Sequence, residues 1–244
     1  MKLILHLSRT VLLAGSVFVF LAYTSAHAND EVYDPLIKLN RAVFEFNEGF
    51  DRYFLKPAAK GYQKLPSPIQ TGTHNFFSNL NDVVVVANDL MQLKGEQFAS
   101  DFLRLSVNSV FGILGFIDVA TPAGIPTHDE SFADTLGFGG VGFGPYIVLP
   151  FLGPSSLREA PALIVDFNIH PASLLSSTTD IVALATVKGI DSRANLLKAT
   201  QLRDEMALDP YIFTRESYYQ YRQNAVYDGE PPKEIFEDFE DFEE

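Results

Sequence analysis

Apolar residues recur at spacings of three and four along much of the chain. After Asp34-Pro35, the positions Leu36, Leu39, Val43, Phe46 and Phe50 keep this rhythm, which puts one apolar stripe on an α-helix; Pro57 is expected to stop it. Phe98, Phe102 and Leu105 repeat the pattern within Gln97 to Val110. Ser155 is positioned to cap a helix through SLREAPALIVDF, which Pro161 must kink or split. Asp180 to Met206 predicts one long helix, and Pro210 to Ala225 another, striped by Tyr211, Tyr218 and Tyr221. Asp34-Pro35, Ser67-Pro68 and Asp209-Pro210 each read as an N-cap followed by proline at the first helical position. Val83 to Val86 has strand propensity, but its flanks NLND and ANDLMQLK favour a helix. The expectation is six to eight helices with no strand alternation: one all-α domain, interrupted by a glycine- and proline-rich stretch from Gly112 to Gly153.

The two ends depart from this pattern. Lys2, His6 and Arg9 form a basic start ahead of an apolar run, Val11 to Ala22, shorter than the ~20 residues a membrane span needs. Ala26-His27-Ala28 has the form of a leader cleavage site. Residues 1–28 are therefore expected to be a cleaved secretory signal peptide; an uncleaved anchor fits the short run less well. Export removes the cytoplasmic pools of ATP and NAD from consideration. Residues 228–244 hold nine acids and one lysine, net -8 of the formal -13, and read as an acidic, disordered tail. Phe236, Phe239 and Phe242 leave a short partner-docking helix as the alternative there. Loss of Lys2 and Arg9 with the leader moves -13 to -15, so the basic footprint that nucleic acid requires is absent. Residues 29–227 remain as the helical domain, in which nothing reads as a membrane span or as the alternating segments of an outer-membrane barrel.

Candidate chemistry is sparse. The chain has no cysteine, which excludes disulfides, thiolate catalysis and cysteine lipidation. Gly137, Gly139 and Gly142 match G-x-G-x-x-G, but HDESFADTL before them is no buried strand and Gly144-Pro145 follows before a helix can run, so the dinucleotide fingerprint fails. Ser155 or Ser156 with Asp166 and His170 would supply a hydrolase's nucleophile, orienter and base, yet no G-x-S-x-G elbow surrounds either serine. The plainer assignment has Ser155 capping a helix, Asp166 pairing with an arginine and His170 ending a helix ahead of Pro171. His74, His128 and His170 are too isolated for a metal site, and no cofactor is expected. What stands out is physical: GFGGVGFGPYIVLPFLGPSS (residues 137–156) is too broken for a helix and too apolar for an ordinary surface loop. Such a segment is buried in protein, lies against lipid, or lines a passage.

Five blocks in order narrow the choice. DPL..LNR..F.FN at 34–47, NFF.NL at 75–80, R..VN...G..GFIDVA from Arg104 to Ala120, TLG..GVGFGPYIVLPFLGPSSLR at 135–158 and DPYI..RE.Y at 209–218 resemble the MlaA (VacJ) family of outer-membrane phospholipid-transport proteins. The resemblance implies an all-α, ring-shaped bundle of amphipathic helices in the inner leaflet of the outer membrane, usually beside a trimeric porin. It implies a central polar channel through which misplaced phospholipid leaves the outer leaflet for a periplasmic lipid-carrier protein, without covalent chemistry. That role fits the physics, because each CH₂ of an acyl chain exposed to water costs ~0.8 kcal/mol. A periplasmic hydrolase acting on lipid or cell wall, or a porin-binding structural adapter, are the rival classes.

On this resemblance the channel and gating loop comprises Phe132, Leu136, Gly137, Gly140, Gly142, Gly144, Pro145, Tyr146, Leu149, Pro150 and Gly153. Phe46 and Asn47 on the first helix are expected to set its position. Two departures matter. Relatives commonly carry a lipobox cysteine where this chain offers an A-x-A site, so the protein is expected at the periplasmic face of the outer membrane without an acyl anchor. Gly139 stands where an aromatic is usual, with Phe138 one position earlier.

Overall fold

The computed structural model describes residues 32–231. The expected leader and the acidic tail past Pro231 lie outside the described residues. Helix α1 (Ile37–Phe50) passes through a π-helical turn (Asp51–Leu55) into α2 (Lys56–Tyr62). The expected stop at Pro57 does not occur. In an α-helix the proline ring clashes with the carbonyl four residues back and leaves it without a donor; the wider turn just ahead of Pro57 relieves both problems. Helices α3 (Ser67–Gln92) and α4 (Gly95–Val110) pack together, joined at Leu93 and Lys94, with Val83 to Val86 inside α3 as expected.

Short elements occupy the middle of the chain. Helix α5 (Phe132–Phe138) opens on a capping box, in which Ser131 and Asp134 satisfy each other's backbone N–H groups. Strands β1 (Tyr146–Leu149) and β2 (Gly153–Ser156) then form an antiparallel hairpin that pairs Tyr146 with Ser156 and Leu149 with Gly153. The expectation of no strands is corrected here. Helix α6 (Glu159–Ile169), a 3-10 turn (Pro171–Leu174), α7 (Thr178–Asn195), α8 (Leu197–Met206) and α9 (Pro210–Val226) complete the described residues. Counting α1 to α2 as one run gives eight helical runs among them, an all-α fold with one small hairpin.

Several local expectations change. Ser155 sits in β2 rather than capping a helix. The Oγ of Ser156 instead accepts the Glu159 N–H at 3.2 Å, and Pro161 falls in the first turn of α6, where a missing N–H costs nothing. Asp209 caps α9 through the N–H groups of Tyr211 and Ile212, but neither Asp34 nor Ser67 caps its helix. The long helix from Asp180 to Met206 breaks at Leu196, and the ion pairs explain why. Arg193 on α7 binds Asp51 at 2.5 and 2.8 Å, and Arg203 on α8 binds Glu48 at 2.9 Å through both terminal nitrogens. In a straight helix the two arginines would be about 15 Å apart along the axis, whereas their acids are about 4.5 Å apart on theirs.

Polarity is turned inside out. Among the described residues, 16 polar or charged side chains are buried against 15 hydrophobic ones, so the interior is no ordinary oil-like core. The buried face of α3 combines Asn79, Asp82, Asn88, Asp89 and Gln92 with Phe77, Val84 and Val85. Meanwhile Leu39, Tyr53, Phe54, Leu93, Val110, Phe111, Leu152, Ile164, Leu174 and Leu208 are among many large apolar side chains exposed outside. One compact apolar cluster gathers Val32 and Tyr211 against Tyr146 and Val148 of the hairpin, and a second joins Ala133, Leu136 and Ala162.

Candidate functional site

The hairpin is held by one face of the first helix. Asn40 and Asn47 lie seven residues apart on α1, two turns along the same stripe. The Asn40 side chain donates to the Tyr146 carbonyl at 2.9 Å and accepts the Val148 N–H at 3.0 Å. That of Asn47 donates to the Leu149 carbonyl at 2.9 Å and accepts the Phe151 N–H at 2.8 Å. Each carboxamide thus presents the donor and acceptor that a neighbouring strand would, and the pair serves the open edge of β1 as a substitute strand. Tyr33 adds its carbonyl, accepting the Tyr146 N–H at 2.8 Å.

Aromatic contacts close the tip. Phe151 packs edge-to-face on Phe46 at 5.2 Å and on Phe50 at 5.0 Å, and Phe50 stacks on Phe54 at 5.3 Å. Phe151 has φ +64 and Gly153 φ +84, so the turn is tight enough to place a phenylalanine in a conformation that glycine favours. Yet Phe151 and Leu152 stay 60% and 71% exposed, and an apolar tip this open is half seated on α1 and half presented to the surroundings.

The other expected residues divide into two groups. Phe132, Leu136 and Gly137 belong to α5 and face inward, Leu136 packing with Ala133 and Ala162. A Cβ at Gly137 would meet the Arg158 guanidinium and Val226 at 2.7 Å, so glycine is needed where α5 crosses α9. Gly140, Gly142, Gly144 and Pro145 link α5 to the hairpin. Gly140 has φ +88 and Gly144 φ +70, and a Cβ at Gly144 would lie 3.2 Å from Leu157; Gly142 has neither constraint. Tyr146 is fully buried, and burial raises its hydroxyl pKa beyond the usual range.

A charged network underlies α5 and α6. Arg222 on α9 binds Asp134 at 2.9 Å and the Ser131 hydroxyl at 3.0 Å, and also Glu159, to which Tyr218 donates as well. Arg158 is buried beside it, donates to the Val141 carbonyl at 3.0 Å, and has its pKa lowered by burial. The hydrolase trio is not assembled. Asp166 accepts from the Phe132 N–H at 3.0 and 3.2 Å and from Asn88 at 3.3 Å, rather than from an arginine or His170. His170 ends α6 as expected, but its Nδ1 accepts the Ala172 N–H at 3.1 Å, and burial lowers its pKa. The Ser155 hydroxyl is buried without a partner among the described residues.

With this geometry in view, known proteins decide the lineage. The family model of the MlaA lipoprotein matches residues 32–225. The chain belongs to the MlaA family. Among MlaA relatives, the intermembrane phospholipid transport system lipoprotein MlaA of Escherichia coli (strain K12) is 35% identical over 202 residues, 81% of this chain and 80% of that protein. The protein of the same description from Haemophilus influenzae is 37% identical over 202 residues, covering 80% of each. An uncharacterised protein of Rickettsia bellii is 31% identical over 198 residues, 80% of this chain and 78% of its own. A solved chain from work on the structural basis for maintenance of bacterial outer membrane lipid asymmetry superposes with a TM-score of 0.70 at 33% identity, covering 79% of this chain and 98% of that one.

Sequence reasoning singled out Asn47 but missed Asn40. The available signal was two asparagines seven apart on a stripe otherwise built of Leu, Val and Phe. Phe151 and Phe50, which complete the tip contact, gave no signal beyond their apolarity.

Proposed function

We propose that this chain is a non-enzymatic phospholipid conduit. It sits in the inner leaflet of the outer membrane beside a trimeric porin, draws misplaced phospholipid out of the outer leaflet through a ring-shaped helical body, and passes it to a periplasmic carrier. The observation that supports this most directly is the unusual polarity: polar and charged groups make up half of the buried side chains while many large apolar side chains stand exposed outside. Among the described residues no helix is long and apolar enough to cross a membrane. An apolar exterior of amphipathic helices suits one leaflet, and a polar interior suits a headgroup. The reading also draws on relatives described as components of an intermembrane phospholipid transport system.

Within this reading the hairpin and its glycine-bearing approach form the gate. The Asn40 and Asn47 clamp fixes the strand, and Phe151 seated between Phe46 and Phe50 is the latch. Lifting the latch exposes apolar surface that lipid tails can cover, so lipid itself favours opening. The test is complementation of a strain lacking its own copy, with outer-leaflet phospholipid as the readout. The expected result is restored asymmetry by the wild-type chain; unchanged outer-leaflet phospholipid with normally localised protein overturns the proposal.

A further inference from the structure

A polar recess opens beside an exposed apolar loop. It has a volume of about 210 Å³ and is walled by His74, Asn75, Ser78 and Asn79 on α3 and by Arg104, Asn108, Asp118 and Thr127 opposite. Every lining side chain is polar. Immediately beside it, the segment after α4 exposes Val110, Phe111, Ile113, Leu114, Phe116 and Ile117, between 46% and 72% open.

The loop is rigidly mounted on the walls of the recess. Asn79 donates to the Leu114 carbonyl at 3.4 Å and to Ser109 at 3.0 Å, and Asn108 accepts the N–H groups of Val119 and Ala120 at 2.8 and 3.0 Å. Gly115 has φ +89, and a Cβ there would come within 2.3 Å of Asn79. Ile113 and Leu114 also hold positive φ, an expensive conformation for such side chains that persists only under strong restraint. The apolar surface is thereby fixed outward, beside a polar hole.

Resting on the conduit reading above, we infer that this recess is a headgroup-reading subsite for a zwitterionic phospholipid, with the acyl chains lying on the Val110 to Ile117 loop. A phosphate and a primary ammonium need donors and acceptors together. Asn75, Ser78 and Thr127 supply donors, and Asp118 supplies a carboxylate. Its one permanent cation is already matched by carboxylates: Arg104 lies 3.1 Å from Asp118 and 3.8 Å from Asp82, and the His74 ring lies 3.1 Å from Asp191. A net-anionic headgroup therefore finds no surplus positive charge here, and the formal -13 of the whole chain opposes it further.

The experiment loads the purified full chain from vesicles holding equal phosphatidylethanolamine and phosphatidylglycerol, and counts co-purifying lipid by mass spectrometry. Wild type is expected to enrich the ethanolamine lipid about fivefold, the effect of one net hydrogen bond. Ser78→Leu, which fills the recess from its half-buried wall, and His74→Lys, which adds a permanent positive charge at its exposed rim and so admits the anionic headgroup, address different failures of folding. Each is expected to bring the ratio down to about that of the vesicles while thermal unfolding stays at wild-type level. An unselective wild type, or variants that both keep its ratio, overturns the subsite and leaves the conduit standing. Equal displacement by free glycerophosphoethanolamine overturns the lipid assignment in favour of a soluble phosphodiester. No bound lipid in any sample overturns the conduit and the subsite together.

Discussion

The side-chain carbonyl of Asn47 accepts the backbone N–H of Phe151 at 2.8 Å, tying the hairpin tip to a residue 104 positions earlier. The same side chain donates to Leu149, so one carboxamide fixes both sides of the turn that carries the exposed Phe151 and Leu152. Two hydrogen bonds and two aromatic edges thus hold the tip to α1.

Asn47→Ala removes both bonds and leaves the Phe151 N–H dependent on water. The expected loss is about 1–2 kcal/mol, felt at the hairpin rather than globally. Hydrogen exchange of residues 149–153 should accelerate while exchange in α3 does not change. Uniform acceleration across the domain would mean that Asn47 supports the whole fold instead of the tip.

Glycines in the approach to the hairpin are unequal. Gly144→Val forces a β-branched residue to φ +70 against Leu157 and is expected to cost about 1–3 kcal/mol. A Cβ at Gly142 meets no atom within 4 Å, so Gly142→Val should leave the unfolding midpoint within error of wild type. Thermal unfolding of the two variants side by side checks this; equal midpoints would show that the linker is loose at both positions.

Stability should fall as pH rises toward neutrality. Asp89 is fully buried, neither of its oxygens has a partner among the described residues, and burial, with Asp101 and Glu130 adding to it, pushes its pKa up from 3.8 to about 7. The folded state then holds a proton that the unfolded state has released, so stability declines between about pH 4 and about pH 7 and levels off above. Lys94, at 2.6 Å from Glu130, offsets the cluster only in part. Asp89→Asn should flatten this slope and raise the unfolding midpoint at pH 8. A variant with the wild-type slope would clear Asp89 of the effect.

Ser155→Ala and His170→Ala are expected to retain lipid retrieval. Neither residue contacts the other's reactive atoms, and the Ser155 hydroxyl is buried without a partner, so its removal costs little. Loss of retrieval together with loss of a hydrolysed lipid product, in variants that fold normally, would restore the hydrolase.

How much was legible depended on range. The stripe of Leu36, Leu39, Val43, Phe46 and Phe50, and the cap at Asp209-Pro210, declared helices because their signals are complete within a few residues. The hairpin did not declare itself. YIVL is four residues long between two prolines, and its partner GPSS has no strand propensity, so each strand exists only because the other, Asn40 and Asn47 bind its edges. The break at Leu196 was equally silent, since neither glycine nor proline marks it and the cause lies in Glu48 on α1 and Asp51 in the π-helical turn after it.

By itself, the sequence determined that this is a helical chain with an apolar, glycine-broken segment near its middle and no cysteine, because periodicity and composition are local quantities. Only the tertiary structure decided which side of those helices faces in. It buried amides and charges, turned phenylalanines and leucines outward, and joined Asn47 to Phe151 across the chain, because burial and pairing depend on what each face meets once distant segments come together.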